Sequence, residues 1–192
     1  MIHYCLMRDT NVPRSDTRSA ILKAAIKVLA RDPRTPLGEL AEQAGVGRAT
    51  LHRYFKSRDE LVKEIAMLSV REIDEAVEGL EQRAESAAHL LELILEAVVP
   101  LGDRFYFLAN EAWVATDPGL KAELDRQIAE LEALVEACKA EGSIDQSVPA
   151  AWVVGVVDST IYAAWNLVAS GQIAPRDASS LAFKTIMNGV SS

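Results

Sequence analysis

Pro36-Leu37-Gly38-Glu39-Leu40-Ala41-Glu42-Gln43-Ala44-Gly45-Val46-Gly47-Arg48-Ala49-Thr50-Leu51-His52-Arg53-Tyr54-Phe55 reads as two short helices joined by a glycine-centred turn. Leu37, Leu40, Ala41 and Ala44 recur at helical spacing and form one apolar stripe, while Glu39, Glu42 and Gln43 fall on the opposite side. Thr35 is the expected N-cap of the first helix, with Pro36 at N1, where a missing N–H is no loss. Gly45 follows the last periodic residue, where a left-handed cap suits glycine, and Val46 plugs the corner behind it. The second helix then runs from about Gly47 to Phe55, with Leu51 and Phe55 inward and Arg48, Ala49, Thr50, His52, Arg53 and Tyr54 outward. A helix-turn-helix with basic, hydroxyl and aromatic groups on its second helix points to duplex DNA, whose major groove is read by arginine at guanine edges and by small groups at thymine methyls.

The flanking residues complete a small helical head. Ser57-Arg58-Asp59-Glu60 has the S-x-x-E spacing of a capping box and predicts a helix starting just after Phe55-Lys56, its positive end suited to a phosphate. Upstream, Ile21, Ala25, Val28 and Leu29 predict a helix whose apolar face covers the motif. Residues 1–16 read as a loose tail; a basic arm carrying Arg8, Arg14 and Arg18 into a minor groove is the alternative to simple fraying.

Over roughly Thr17 to Ala66, and most closely from Leu40 to Leu61, the sequence resembles the TetR family of bacterial transcriptional regulators. The resemblance implies that Arg48, Ala49, Thr50, His52 and Arg53 face the groove and that Thr35, Thr50, Tyr54, Lys56 and Arg58 anchor the DNA backbone. Two residues depart from the family pattern. Gly47 stands where a serine N-cap is common, which costs only a few tenths of a kcal/mol. His52 stands where tyrosine is usual, which leaves the base preference at that position open.

Charge divides along the chain. Residues 1–60 hold 11 Lys and Arg against 7 Asp and Glu, whereas residues 61–192 hold 9 against 21, giving a net charge of −8 overall. The basic part coincides with the motif, as expected of a dedicated DNA-binding head on an acidic body. Cys5 and Cys138 lack metal-ligand spacing and suit a reducing cytoplasm as buried or idle thiols, and the N-terminus lacks the apolar core of a signal peptide. Three scattered histidines, with no phosphate-cradling loop and no nucleophile–base set, argue against an enzyme and against a metal or cofactor.

The expected fold is all-α: a tail over 1–16, a head over 17–60 with its motif at 36–55, and a helical effector-binding and dimerisation body over 61–192. Expected body helices cover about 58–82, 85–99, 101–114, 118–140, 149–170 and 176–189, because no strand-like alternation interrupts them. The segment 150–169 is long enough to span a bilayer, but Asp158 at its middle and the absence of a basic flank favour a buried helix. With 176–189 it is expected to form half of a two-fold four-helix interface, as the family's last two helices usually do. Phe105, Tyr106, Phe107, Asn110, Trp113, Asp158, Tyr162 and Trp165 are candidates for an effector pocket, since aromatics with a few polar groups hold small apolar ligands, although the same residues serve equally as core. Trp152 is a further candidate for the pocket, with the dimer interface as its alternative. Asp158 needs a partner: a cationic ligand, solvent, or a polar network across the dimer, the last being preferred. His89 reads as structural. The implied function is a homodimeric repressor released from a palindromic operator by a small apolar or aromatic effector; the alternative is a helix-turn-helix regulator without a ligand, acting through a protein partner.

Overall fold

Ile21, Ala25 and Leu29 lie on one side of the first helix and are fully buried, and around them the amino-terminal third of the chain assembles. The structure, a computed structural model, describes residues 14–104 and 117–190. Helix α1 spans Arg14–Leu29, so the chain is helical from 14, earlier than the tail ending at 16 that the sequence suggested. Pro13 immediately before it in the sequence is a residue type suited to helix starts.

Helix α2 (Leu37–Gln43) buries Leu40 and Ala41. Thr35 is not its N-cap: Pro36 takes that place with extended φ and ψ, and no side chain caps the helix. The Thr35 hydroxyl instead donates to the Asp32 carbonyl at 2.8 Å, which the closing turn of α1 places within reach. Gly45 adopts φ +67, and the Val46 N–H reaches back to the Ala41 carbonyl at 3.0 Å, closing the helix as glycine there predicts. Helix α3 (Arg48–Tyr54) turns Leu51 inward, and Phe55 just beyond it is fully buried.

Helix α4 (Arg58–Val77) begins with a variant of the capping box. The Ser57 hydroxyl accepts the Glu60 N–H at 3.1 Å, while the Glu60 carboxylate takes the N–H of Lys56, one residue before the cap, at 2.7 Å. Leu61, Val62, Ile65, Ala66 and Val70 of α4 join the core built from α1, α2, Leu51 and Phe55. Each of the Leu, Val and Ile side chains contributes about 1.5–3 kcal/mol by leaving water. Leu101, Leu124 and Trp165 from the body pack against the same cluster.

The expected helix 58–82 stops at Val77, because Gly79 turns to φ +75 and Leu80–Gln82 forms a short 3₁₀ turn. Helix α5 (Ala87–Val98) is capped by Ser86 and runs into a 3₁₀ segment, Val99–Arg104. That segment replaces the described part of the expected helix 101–114. Helices α6 (Pro118–Glu141), α7 (Ala150–Ala169) and α8 (Pro175–Val190) complete the body. Asp117 caps α6 by accepting the Leu120 N–H at 3.0 Å, with Pro118 in the first turn. Leu91, Leu95, Val135, Cys138, Val153, Val157, Ala182 and Ile186 form the second core. All regular elements among the described residues are helices.

Candidate nucleic-acid interface

Leu51 and Phe55 anchor α3 from below, and Tyr54, expected outward, packs part of its side chain against the same core. Arg48, Ala49, His52 and Arg53 are exposed, Thr50 and Tyr54 half-buried. The Arg53 guanidinium sits over the Tyr54 ring, 5.2 Å from its centroid, so the two side chains present a joint cationic and aromatic edge. Lys56 is exposed beside the start of α4.

Arg48 is held across the turn. Its Nη2 meets the Glu42 Oε1 at 3.0 Å, and its guanidinium lies over Gly38, 3.4 Å from where a Cβ would stand. Gly38 and Glu42 thus form a seat for the first cation of α3. Helical periodicity does not reveal this pair, which spans two helices; the opposite charges on either side of Gly45 were the available signal.

Two expected backbone anchors are otherwise engaged. Thr35 is 2% exposed with its hydroxyl donated within the chain, so its side chain does not reach out to phosphate. Arg58 is half-buried and donates from Nη2 to the Pro33 carbonyl, bracing the loop between α1 and α2 against α4. Arg18 forms no arm: it pairs with Glu64 and lies 5.4 Å from the Phe55 ring centroid, clamping α1 onto α4 and the end of α3.

In the body, Phe105, Tyr106, Phe107, Asn110 and Trp113 lie outside the described residues. Asp158, Tyr162 and Trp165 follow one another at i, i+4 and i+7 along α7 and share a side of it. Trp165 donates from Nε1 to the Val98 carbonyl at 3.3 Å. Asp158 is open on one side, yet the apolar helix around it removes enough water to push its carboxyl above the usual range. Trp152 is 66% exposed and Leu181 on α8 is 50% exposed. His89 is structural, as expected: its N–H binds the Ser86 hydroxyl and its Nδ1 accepts the Glu85 N–H. Cys138 is buried, and desolvation raises its thiol, which disfavours the thiolate.

The sequence profile described as "Bacterial regulatory proteins, tetR family" matches residues 21–65, the span from α1 into α4. The HTH-type transcriptional repressor LfrR of Mycolicibacterium smegmatis is 32% identical over 164 residues, covering 85% of this chain and 82% of the relative. The chain belongs to the TetR family. Accordingly it is a DNA-binding transcriptional regulator, and its family is one of regulators rather than enzymes. A crystal structure of LfrR from Mycobacterium smegmatis in complex with proflavine superposes with a TM-score of 0.76 at 28% identity, covering 93% of this chain and 98% of that one. The ketosteroid regulator KstR2 of Mycobacterium tuberculosis superposes at 0.77, covering 91% and 95%; at 13% identity that likeness concerns the fold alone. Helix α3 is therefore the second helix of a TetR-family helix-turn-helix, and α5 to α8 form the helical domain that follows it.

Proposed function

We propose that this TetR-family chain is a homodimeric repressor whose α3 enters successive major grooves of a palindromic operator and is withdrawn by a small aromatic cation. The observation that carries the DNA half is the exposed run Arg48, Ala49, His52 and Arg53, flanked by Thr50, Tyr54 and Lys56, over a buried Leu51 and Phe55. Arg58 braces this surface from behind through the Pro33 carbonyl. A single α3 spans few base pairs, so two heads about 34–36 Å apart are needed to read one operator. The face of α7 and α8 bearing Trp152, Gly155, Ser159, Asn166, Leu181 and Thr185 is exposed in one chain and apolar enough at Trp152 and Leu181 to supply the two-fold contact. Repression of this kind acts in the cytoplasm, where the operator is.

Three features support a cationic aromatic effector. Asp158, Tyr162 and Trp165 lie along one side of α7; the Asp158 carboxylate lacks a cationic partner among the described residues; and the similar repressor LfrR is described in complex with proflavine. An aromatic cation would stack on the rings and neutralise a carboxylate that is open on one side and partly desolvated on the other. This reading gives Asp158 a ligand rather than the cross-dimer network expected from sequence. The route to the head runs through α4, which is tied to α6 by Lys63 with Asp117 and by Asp74 with Arg126 and Gln127.

The test is DNA binding upstream of the chain's own gene at two salt concentrations, with and without proflavine. Salt-sensitive binding lost in Arg53→Ala and weakened by proflavine is the expected result. Binding that ignores Arg53→Ala overturns the DNA surface; tight proflavine binding that leaves DNA affinity unchanged overturns the switch.

A further inference from the structure

From Thr17 to Arg31 the sequence contains Arg18, Lys23, Lys27 and Arg31 but no Asp or Glu. Arg18 is consumed by Glu64, whereas Lys23, Lys27 and Arg31 are exposed and have no carboxylate within ion-pair distance among the described residues. Their spacing of four residues puts them on one line of α1 and its closing turn, about 6 Å apart and about 12 Å end to end. Like charges at that spacing destabilise a helix by a few tenths of a kcal/mol per pair, and between Thr17 and Arg31 no acidic residue offsets it. The contrast with α6 is direct, since each of its cations, Lys121, Arg126 and Lys139, carries an acidic partner.

The three cations line an open groove between α1 and α2, together with Thr35, Glu39 and Gln43. Glu39 and Gln43 also line the next depression, which ends at Arg48. The surface is thus continuous from the α1 stripe over α2 to the first residue of α3. Asp32 also lines this groove, with its Oδ1 accepting the Arg34 N–H at 3.0 Å, so the three cations face two acids there, Asp32 and Glu39, neither of them within ion-pair distance.

We propose that Lys23, Lys27 and Arg31 are a second line of DNA contact, gripping the phosphates of one strand outside the base pairs that α3 reads. Laid parallel to the duplex axis, a 12 Å row of cations spans about three to four base-pair steps at 3.4 Å of axial rise each. Such contacts carry no sequence information; they set register and add affinity. The proposal rests on the DNA-binding role of α3, and its test separates the two.

The full chain and the variant Lys23→Ala/Lys27→Ala/Arg31→Ala are titrated against two labelled operator duplexes, one ending at the footprint of α3 and one with about half a helical turn added on each side. On the longer duplex the triple variant should bind with the same sequence preference but weaker, its log–log salt slope shallower by about 0.9 for each phosphate released. Wild type on the shorter duplex should show the same shallower slope. Alanine favours helix, and a thermal melt of the variant checks that the head is folded. Arg53→Ala is the companion: if it leaves binding intact, the reading of α3 fails, whereas if it abolishes binding while the triple variant keeps the wild-type slope on both duplexes, the stripe proposal alone is overturned. A triple variant with unchanged DNA binding that loses an acidic protein partner likewise overturns it, and makes the groove a protein-docking surface.

Discussion

Gly102 lies flat against Trp165: a Cβ built on this glycine would stand 2.1 Å from Cδ1 of the indole, closer than any real contact. The same indole packs against the cluster that holds α1, α3 and α4 together, and so does Leu101 next to Gly102. One side chain therefore borders both the proposed effector site and the core of the DNA-binding head. Gly102→Ala forces the ring or the 3₁₀ segment to move, a case of overpacking worth about 1–3 kcal/mol. The expected result is a lower denaturation midpoint with a shifted tryptophan emission; an alanine variant indistinguishable in both would mean the contact relaxes freely.

Much of the head was legible because its determinants are local. Gly45 at the turn, the apolar stripe of α2 and the Ser57 to Glu60 cap each act within a few residues, and each is where periodicity and capping rules put it. What the sequence did not disclose depends on residues distant in the chain or on competing local bonds. Thr35 has the right chemistry for a cap, but the Asp32 carbonyl captured its hydroxyl. Val77 and Leu80 continue an apolar rhythm, so only the left-handed Gly79 ends α4. Arg18 and Arg58 read as cations available to DNA, yet Glu64 and the Pro33 carbonyl, 46 and 25 residues away, hold them.

In the proposed DNA complex, Glu42 competes with DNA for Arg48. Both side chains are largely exposed, 66% and 71%, so the pair itself adds little to folding, under about 1 kcal/mol. Glu42→Gln removes a negative charge from the DNA-facing surface and releases the arginine. Operator affinity should rise about two- to five-fold, corresponding to about 0.5–1 kcal/mol, with no change in thermal stability. Weaker binding in this variant would mean that Glu42 aims Arg48 at the groove instead of withholding it.

In the proposed effector site, Asp158 sets stability against ligand binding. Its carboxyl is pushed up by desolvation, so ionisation is disfavoured in the folded chain and the charged form lowers stability once pH exceeds the unfolded value. Asp158→Asn should melt higher than wild type at neutral pH, with the difference closing as pH falls below the ordinary aspartate range of about 3.9. Proflavine affinity should fall about tenfold or more if the lost contact is charge-assisted. A variant that melts higher but binds the dye equally well would leave Asp158 outside the effector site.

Glu141 closes the body from the other end. Its two oxygens accept the Ala87 and Ala88 N–H groups, both at 2.8 Å, at the amino end of α5, and the Ser143 hydroxyl adds a third bond. The Ala87 bond, then the Ala88 bond, hold its carboxyl below the usual range. A depressed carboxylate stabilises the fold above its unfolded pKa of about 4.3, and this contribution is lost as pH falls through the folded value. Glu141→Gln should therefore lower the melting temperature at pH 7 and converge with wild type in acid. Parallel pH profiles for the two proteins would show that the cap contributes nothing through its charge.

Asp74 forms the second of the two ties between α4 and α6. Its Oδ2 takes Arg126 Nη2 at 2.6 Å and its Oδ1 takes Gln127 Nε2 at 2.9 Å, while Lys63 meets Asp117 nearer the head. An effector shifts the heads only by favouring one arrangement of α4 over another, so a weaker tie transmits less of its binding energy. Asp74→Asn removes the charge that Arg126 shares with Glu123 and Glu130 and leaves the Lys63 contact in place. The ratio of operator affinities without and with proflavine should shrink about 2- to 30-fold, the span of 0.5–2 kcal/mol in coupling energy, while each ligand alone binds as before. Linkage supplies a second reading of the same quantity, since operator DNA must then weaken proflavine binding less by the same factor. If the ratio is unchanged, α6 does not drive α4 through Asp74, and the contact of Trp165 with the head core becomes the route to test.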